Sequence, residues 1–231
     1  MHRAPLPLPG ATSAAYDDSE PVTLLRNAPR DRAVVLVLRH AAREAIRASE
    51  DGWTAPLTEA GREQARATGA AIGKLGFDAL TAVASPAPRC LDTAQLLLVG
   101  AGEPAPVRAD PRFGGPYVLD QECAFRRMLQ LGNAGFLRAW FDGGWADAMQ
   151  PAAEAARDQF RALLSVLRGP GPAVRIVVSH DWNIALLRDR ILSLPHEQVG
   201  LPGFLSGLLL YESRGRIVVS DHGGVRWADV P

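Results

Sequence analysis

Three short apolar runs, each leading into charged residues, constrain the fold of this chain more than anything else in it. Ala33 to Leu38 ends in Arg39-His40, Leu80 to Ser85 leads to Arg89, and Val174 to Ser179 leads to His180 and Asp181. Short β-branched runs of this kind read as strands buried on both faces, the habit of a parallel sheet. Helical periodicity fills the gaps between them. Thr58 can cap a helix whose inner face is Ala60, Ala67, Ala71 and Leu75, with Gly76 as its stop. A longer helix spans Ala152 to Arg168, with Phe160, Leu163, Leu164 and Leu167 inward and Gly169 after its end. Gly207 to Glu212 and Arg216 to Ser220 read as a closing hairpin around Ser213-Arg214-Gly215. Strands alternating with helices predict an α/β fold of three layers, α/β/α, in which a mostly parallel central sheet has helices on both faces.

In open α/β sheets the ligand site lies beyond the carboxyl ends of the strands. The three strands therefore deliver Arg39, His40, Arg89, His180 and Asp181 to one crevice. Arginine offers a rigid fork of N–H donors that matches phosphate oxygens two at a time, which suits Arg39 and Arg89. Neutral imidazole is a competent nucleophile near pH 7, because its ordinary pKa is about 6.5. Covalent catalysis then splits one hard displacement into two easier ones, with His40 holding a phosphoryl group in between.

In the same residues the chain resembles the histidine phosphatase superfamily, which includes phosphoglycerate mutases, related small phosphatases, acid phosphatases and phytases. Four segments match in order. Leu38-Arg39-His40 is similar to the Arg-His-Gly motif, and Leu57-Thr58-Glu59-Ala60-Gly61-Arg62-Glu63-Gln64-Ala65 resembles Leu-Thr-x-x-Gly-x-x-Gln-Ala. Ser85 to Ala94 resembles Ser-x-x-x-Arg-(small)-x-x-Thr-Ala, and Val178-Ser179-His180-Asp181 resembles the late histidine motif. The resemblance implies a metal-independent phosphomonoesterase in which His40 is the nucleophile and Arg39, Arg89 and His180 complete the phosphate pocket. It also implies that His180 acts as imidazolium, and that Arg43 is a further phosphate ligand as in the acid phosphatase branch.

Departures from the family pattern carry equal information. Ala41 replaces the glycine after the nucleophile, so a local backbone adjustment is expected there. Mutases supply an acidic glutamate after the second arginine, but here Asp110-Pro111-Arg112-Phe113-Gly114-Gly115-Pro116-Tyr117 holds none. The acid phosphatase branch instead uses an aspartate after its late histidine, a place that Asp181 occupies. Asp181 is thus the expected proton donor, with Asp120 and Glu122 as fallbacks. Protonating a leaving group amid so much positive charge predicts best activity below neutral pH. A mutase and a non-catalytic phospholigand-binding module are the rival readings.

Each residue also has a structural alternative. Asp181 can cap a helix from Asn183 to Leu192, Arg43 can be solvated on a helix with Glu44 and Arg47, and Arg89 can cap a helix or pair with Asp92. His196 reads as a loop residue after Pro195, and His222 as the end of the last strand. Cys90 and Cys123 have no metal spacing and read as reduced thiols. A metal site is not expected, since arginines rarely stand among metal ligands, and no cofactor is implied. At 231 residues and 47% hydrophobic content the chain can bury a full core, and one domain over residues 21–231 is expected after a loose tail, Met1 to Glu20. Pro21 to Arg32 reads as an irregular lead-in. Lys+Arg 25 against Asp+Glu 25 gives no pull towards nucleic acid or membrane. The resemblance and the long insert imply a small phosphorylated substrate, and with no apolar stretch of bilayer length and no secretory start a cytoplasmic place is expected. Substrate choice falls to the insert, residues 109–150, with Phe113, Tyr117, Phe125, Phe136, Trp140, Phe141, Trp145 and Arg112, Arg126, Arg127, Arg138. It is read as a lid over the crevice or a helical subdomain, with Trp53 at the mouth. The sequence leaves the oligomeric state open.

Overall fold

The computed structural model describes residues 16–49, 51–170, 174–221 and 224–228. The chain runs through α1 (Glu20–Arg26), β1 (Val34–Arg39), one-turn α2 (Asp51–Thr54), α3 (Glu59–Gly73), β2 (Leu80–Ala84), α4 (Pro88–Gly100) and the short β3 (Arg108–Ala109). It continues as α5 (Gln121–Phe141), α6 (Ala152–Arg168), β4 (Val174–Ser179), α7 (Asp181–Leu192) and α8 (His196–Val199). Three strands follow: β5 (Gly207–Ser213), β6 (Arg216–Asp221) and β7 (Gly224–Ala228).

All three apolar runs are strands, and they lie side by side in a sheet of order β3-β2-β4-β1-β5-β6-β7. The parallel expectation holds for one half of it. β3, β2, β4 and β1 are parallel, whereas β5, β6 and β7 return antiparallel. Arg214 and Gly215, at φ 51° and 73°, make the tight turn that sends β6 straight back along β5. His222 lies outside the described residues, but the sheet does not end there: β7 adds an edge strand that the sequence reading missed.

Side chains alternate along β1 as a pleated strand requires. Val34, Leu36 and Leu38 enter a core shared with α1, α3 and α4, while Val35 and Val37 enter a second core with α6 and α7. Each such buried side chain contributes about 1.5–3 kcal/mol, so the two cores fix β1 between two helical layers. α6 has the predicted bounds, and its Phe160, Leu163, Leu164 and Leu167 are buried as expected.

The inner face of α3 needs correction: Gly61, Ala65, Thr68, Gly69, Ala71 and Ile72 are its buried residues. Of the expected set only Ala71 is fully buried, and Ala67 and Leu75 are partly so. The cause is close backbone packing on α4, for a Cβ at Gly69 would stand 2.2 Å from the Leu97 carbonyl oxygen. Glycine and alanine form the contact stripe because larger residues would push the helices apart.

The N-terminal expectation also changes. Residues 1–15 of the expected tail lie outside the described residues, but Tyr16 is buried at 1% exposure and Glu20 opens a helix. The lead-in holds α1, with Pro21 in its first turn, where a missing N–H costs nothing. The insert is helical. α5 is broken at Gly132 (φ 69°, ψ 165°), and Tyr117, Phe136, Trp140 and Phe141 form a third core with α6 and α7. These aromatics serve a helical subdomain. Among the described residues no helix is long and apolar enough to cross a membrane.

Candidate active site

The end of β1 is held on both sides, so the residue after it has little freedom. Arg39 N–H donates to the Ser206 carbonyl at 2.9 Å, and His40 N–H to Ser179 at 3.0 Å. His40 is 2% exposed. Its Nδ1 lies 2.8 Å from the Ala41 carbonyl, and its Nε2 accepts from Arg89 Nε at 3.2 Å. A guanidinium only donates and a carbonyl only accepts, so the proton sits on Nδ1 and the lone pair on Nε2. Burial foremost, then the neighbouring His180 and Arg89, hold this imidazole well below its ordinary range and therefore neutral.

Arg89 joins the site from the first turn of α4. Besides His40 it donates from one terminal nitrogen to the Trp53 carbonyl at 3.1 Å, and it reaches His180 Nδ1 from the other at 3.2 Å. It does not pair with Asp92, which binds Arg62 instead at 3.2 Å. Thr93 explains the rest of its motif, for its hydroxyl donates to the Arg89 carbonyl at 2.6 Å and accepts from Ala41 N–H at 3.1 Å. Ala41 itself is not among the residues at positive φ, so the backbone there takes a conformation that alanine tolerates. Its methyl group packs with Leu57, Ala65 and Leu205.

His180 closes the pocket. Because Nδ1 accepts from Arg89, Nε2 bears the proton and donates to Ser85 Oγ at 2.9 Å. Burial, then Arg89, Arg39 and Arg43, lower its pKa to about 3. The expectation of an imidazolium is thus corrected: amid three guanidinium groups His180 stands neutral. Arg39 binds Asp181 at 3.0 Å, donates to the Pro202 carbonyl at 2.8 Å and lies 4.1 Å beneath the Phe204 ring. Its buried Nε has no partner among the described residues.

Asp181 is the first residue of α7, and His180 rather than Asp181 is the N-cap. Its other oxygen accepts from Trp182 N–H at 3.0 Å. Arg43 lies in an irregular segment after β1 and not on a helix. It donates to the Glu44 carbonyl at 2.7 Å, and burial and the charges of Arg89, Asp181 and Arg39 all act on it, which places it at the same crevice.

The fallback donors stand apart. Asp120 caps α5 by accepting from Cys123 N–H at 2.9 Å, and Glu122 is exposed on the first turn. Asp110 is bound by Arg112 at 2.6 Å. Trp53 lies against Gly114, is 40% exposed, and accepts at its carbonyl from Arg89. His196 opens α8 and bonds the Ala134 carbonyl at 3.1 Å, so it is no loop residue. Sequence reasoning passed over Phe204 and the Pro202 carbonyl, since the loop that carries them has no recognisable pattern. Tyr117, expected among the insert aromatics, instead uses its hydroxyl to donate to Asn183, which in turn donates to the Phe113 carbonyl at 3.0 Å. That network ties the insert to the start of α7. Among the described residues no three His, Cys, Asp or Glu side chains are grouped to hold a metal ion.

Two arginines and two histidines thus converge beyond the strand ends, with a neutral imidazole among fixed positive charges. The chain belongs to the histidine phosphatase superfamily, since the profile of its branch 1 matches residues 35–202. Its fold is similar to that of mycobacterial hydrolase 1, at 24% identity over 86% of this chain and 97% of that one, with a TM-score of 0.56. Similar too are a mycobacterial glucosyl-3-phosphoglycerate phosphatase with inorganic phosphate (24% identity, 86% and 96% covered, TM-score 0.57) and a phosphoglycerate mutase from Bacillus anthracis (14%, 86% and 92%, 0.53). No curated protein sequence matches significantly.

Proposed function

We propose that the protein is a phosphatase that hydrolyses small phosphomonoesters through a phosphohistidine on His40. The observation that supports this most is the tautomer: the Nε2 lone pair points at Arg89, the group best suited to hold the phosphoryl oxygens beside it. Arg39, Arg43 and Arg89 then bind the dianion, and guanidinium groups supply the positive charge without a metal. His40 Nε2 attacks phosphorus in line as the ester oxygen leaves, and Asp181 gives that oxygen a proton. Water next attacks the phosphohistidine while the Asp181 carboxylate takes its proton, which releases phosphate and restores the free imidazole. His180, neutral with its proton on Nε2, donates from that nitrogen to a phosphoryl oxygen whose charge grows in the transition state.

Phosphatase is preferred to mutase because the segment Asp110 to Tyr117 holds no glutamate, and its one acid is bound to Arg112. Two unpaired thiols, Cys90 and Cys123, suit a cytoplasmic setting.

The test compares wild type with His40→Ala and Asp181→Asn on aryl and alkyl phosphates. His40→Ala is expected to fold, to lose at least about 10³-fold in kcat/KM and to form no acid-labile phosphoenzyme. Asp181→Asn is expected to slow alkyl esters far more than nitrophenyl phosphate, whose leaving group needs no proton. Equal activity of His40→Ala and wild type would discard the mechanism. Isomer formation without phosphate release would make the protein a mutase, and binding without turnover a phospholigand module. Chelators are expected to leave the rate unchanged.

A further inference from the structure

The loop between α8 and β5 is shaped to deliver one ring. Gly207 begins β5 where a Cβ would stand 1.7 Å from the Val37 carbonyl oxygen, so the loop must enter the sheet flush against β1. Just before it, Leu205 is fully buried at φ 57°, a left-handed conformation that a branched side chain adopts only when its surroundings impose it. Leu205 N–H donates to the Arg39 carbonyl at 3.2 Å, and the Ser206 carbonyl accepts from Arg39 N–H at 2.9 Å. The strained residue thus grips the backbone of Arg39 while turning Phe204 over its side chain. The Phe204 ring centroid lies 4.1 Å from the guanidinium carbon and 5.7 Å from that of His40.

Arg39 needs such a partner. It sits in a cluster with two other cations, Arg89 from α4 and Arg43 from the segment after β1, beside the imidazoles of His40 and His180. Its one anionic contact among the described residues is Asp181 at the start of α7, whose charge also reaches Tyr117 in the insert and Cys90 on α4. A carboxyl group that donates a proton must first take one up, and it then ceases to balance the arginine. The negative face of an aromatic ring does not titrate.

From this we infer that Phe204 is a positioning residue that keeps the Arg39 guanidinium aimed into the pocket while Asp181 is protonated. The inference rests on the assignment of Asp181 as proton donor and of the pocket as a phosphate site. Its signature is a dependence on the charge of residue 181 that loop packing alone would not produce.

Binding of inorganic phosphate near neutral pH, followed by calorimetry in the wild type and in Asp181→Asn, which gives residue 181 the charge of a protonated carboxyl, tests it without any need for turnover. Phe204→Leu is expected to weaken binding about tenfold in the Asp181→Asn background and less than about threefold in the wild-type background, in line with the strength of a desolvated cation–π contact. Phe204→Trp, which keeps an aromatic face, is expected to restore the affinity in the Asp181→Asn background. An equal weakening by Phe204→Leu in both backgrounds, or none, overturns the inference, as does a failure of Trp to rescue a well-folded protein. If phosphate binding follows the expected pattern while no phosphomonoester is hydrolysed, the proposed function fails and the positioning role stands.

Discussion

The strand-end pocket and the helical insert are both rich in arginine and use it in opposite ways. In the insert three of the four arginines meet carboxylates: Arg112 binds Asp110 at 2.6 Å, Arg127 binds Asp147 at 2.7 Å, and Arg138 binds Asp189 and Glu197, both at 2.8 Å. In the pocket only Arg39 binds a carboxylate, Asp181, while Arg43 and Arg89 spend their donors on imidazole nitrogens and carbonyl oxygens. The insert's pairs balance charge within the fold, which makes them tethers. The pocket is left with more positive than negative charge. Arginine content says little about binding until the partners are known.

The largest test of this contrast is Arg89→Ala, which removes the contacts to His40, His180 and Trp53 together. A loss of about 10²–10³-fold in kcat/KM on an aryl phosphate is expected, the usual scale for one preorganised donor, with little rescue by lysine because a point charge cannot reach three partners. Next comes Trp140→Ala. Trp140 is 1% exposed and donates to the Gln150 carbonyl at 2.7 Å, so denaturant unfolding should show a cost of about 3–5 kcal/mol. The folded variant is expected to keep wild-type kcat/KM within about threefold on a small aryl phosphate. A collapse of activity in protein that remains folded would move the insert from support into the machinery.

Acid should loosen the two regions in different windows. The pKa of His180 is lowered to about 3, below that of the unfolded chain, so the unfolded state binds its proton first as pH falls. Its share of stability is full above about pH 6.5 and is lost on acidification down to about pH 3, up to a few kcal/mol. Glu197 is lowered to about 2, chiefly by its bond to Arg138, and contributes above about pH 4.5. Half exposed, it loses less than about 1 kcal/mol as pH falls further. A His180→Gln variant is expected to lose the upper part of the slope in stability against pH and keep the lower. The smallest effect is Arg127→Ala, where an exposed pair should cost about 0–1 kcal/mol in thermal unfolding and nothing in kcat/KM.

Much of this was legible in one sequence because local rules dominate it. The apolar runs of β1, β2 and β4 are continuous since both faces are buried, and α6 shows its inner face through large residues at helical spacing. The charged residues at the strand ends stand out against that background, so Arg39, His40, Arg89, His180 and Asp181 could be gathered before any coordinates. The stripe of α3 was misread because close helix packing selects glycine, which hydrophobic pattern overlooks. β7 was missed because a strand on the sheet edge buries little and shows weak alternation; Val225 is 61% exposed.

The sequence by itself determined the parallel half of the sheet, its helical layers and which side chains meet beyond it, for these depend on periodicity and on the alternation of a pleated strand. Only the tertiary structure decided the protonation of the two imidazoles, the pairing of Arg39 with Asp181 and the place of Phe204. Those depend on burial, on distances of about 3 Å between residues far apart in the chain, and on a strained loop, none of which leaves a period in the order of amino acids.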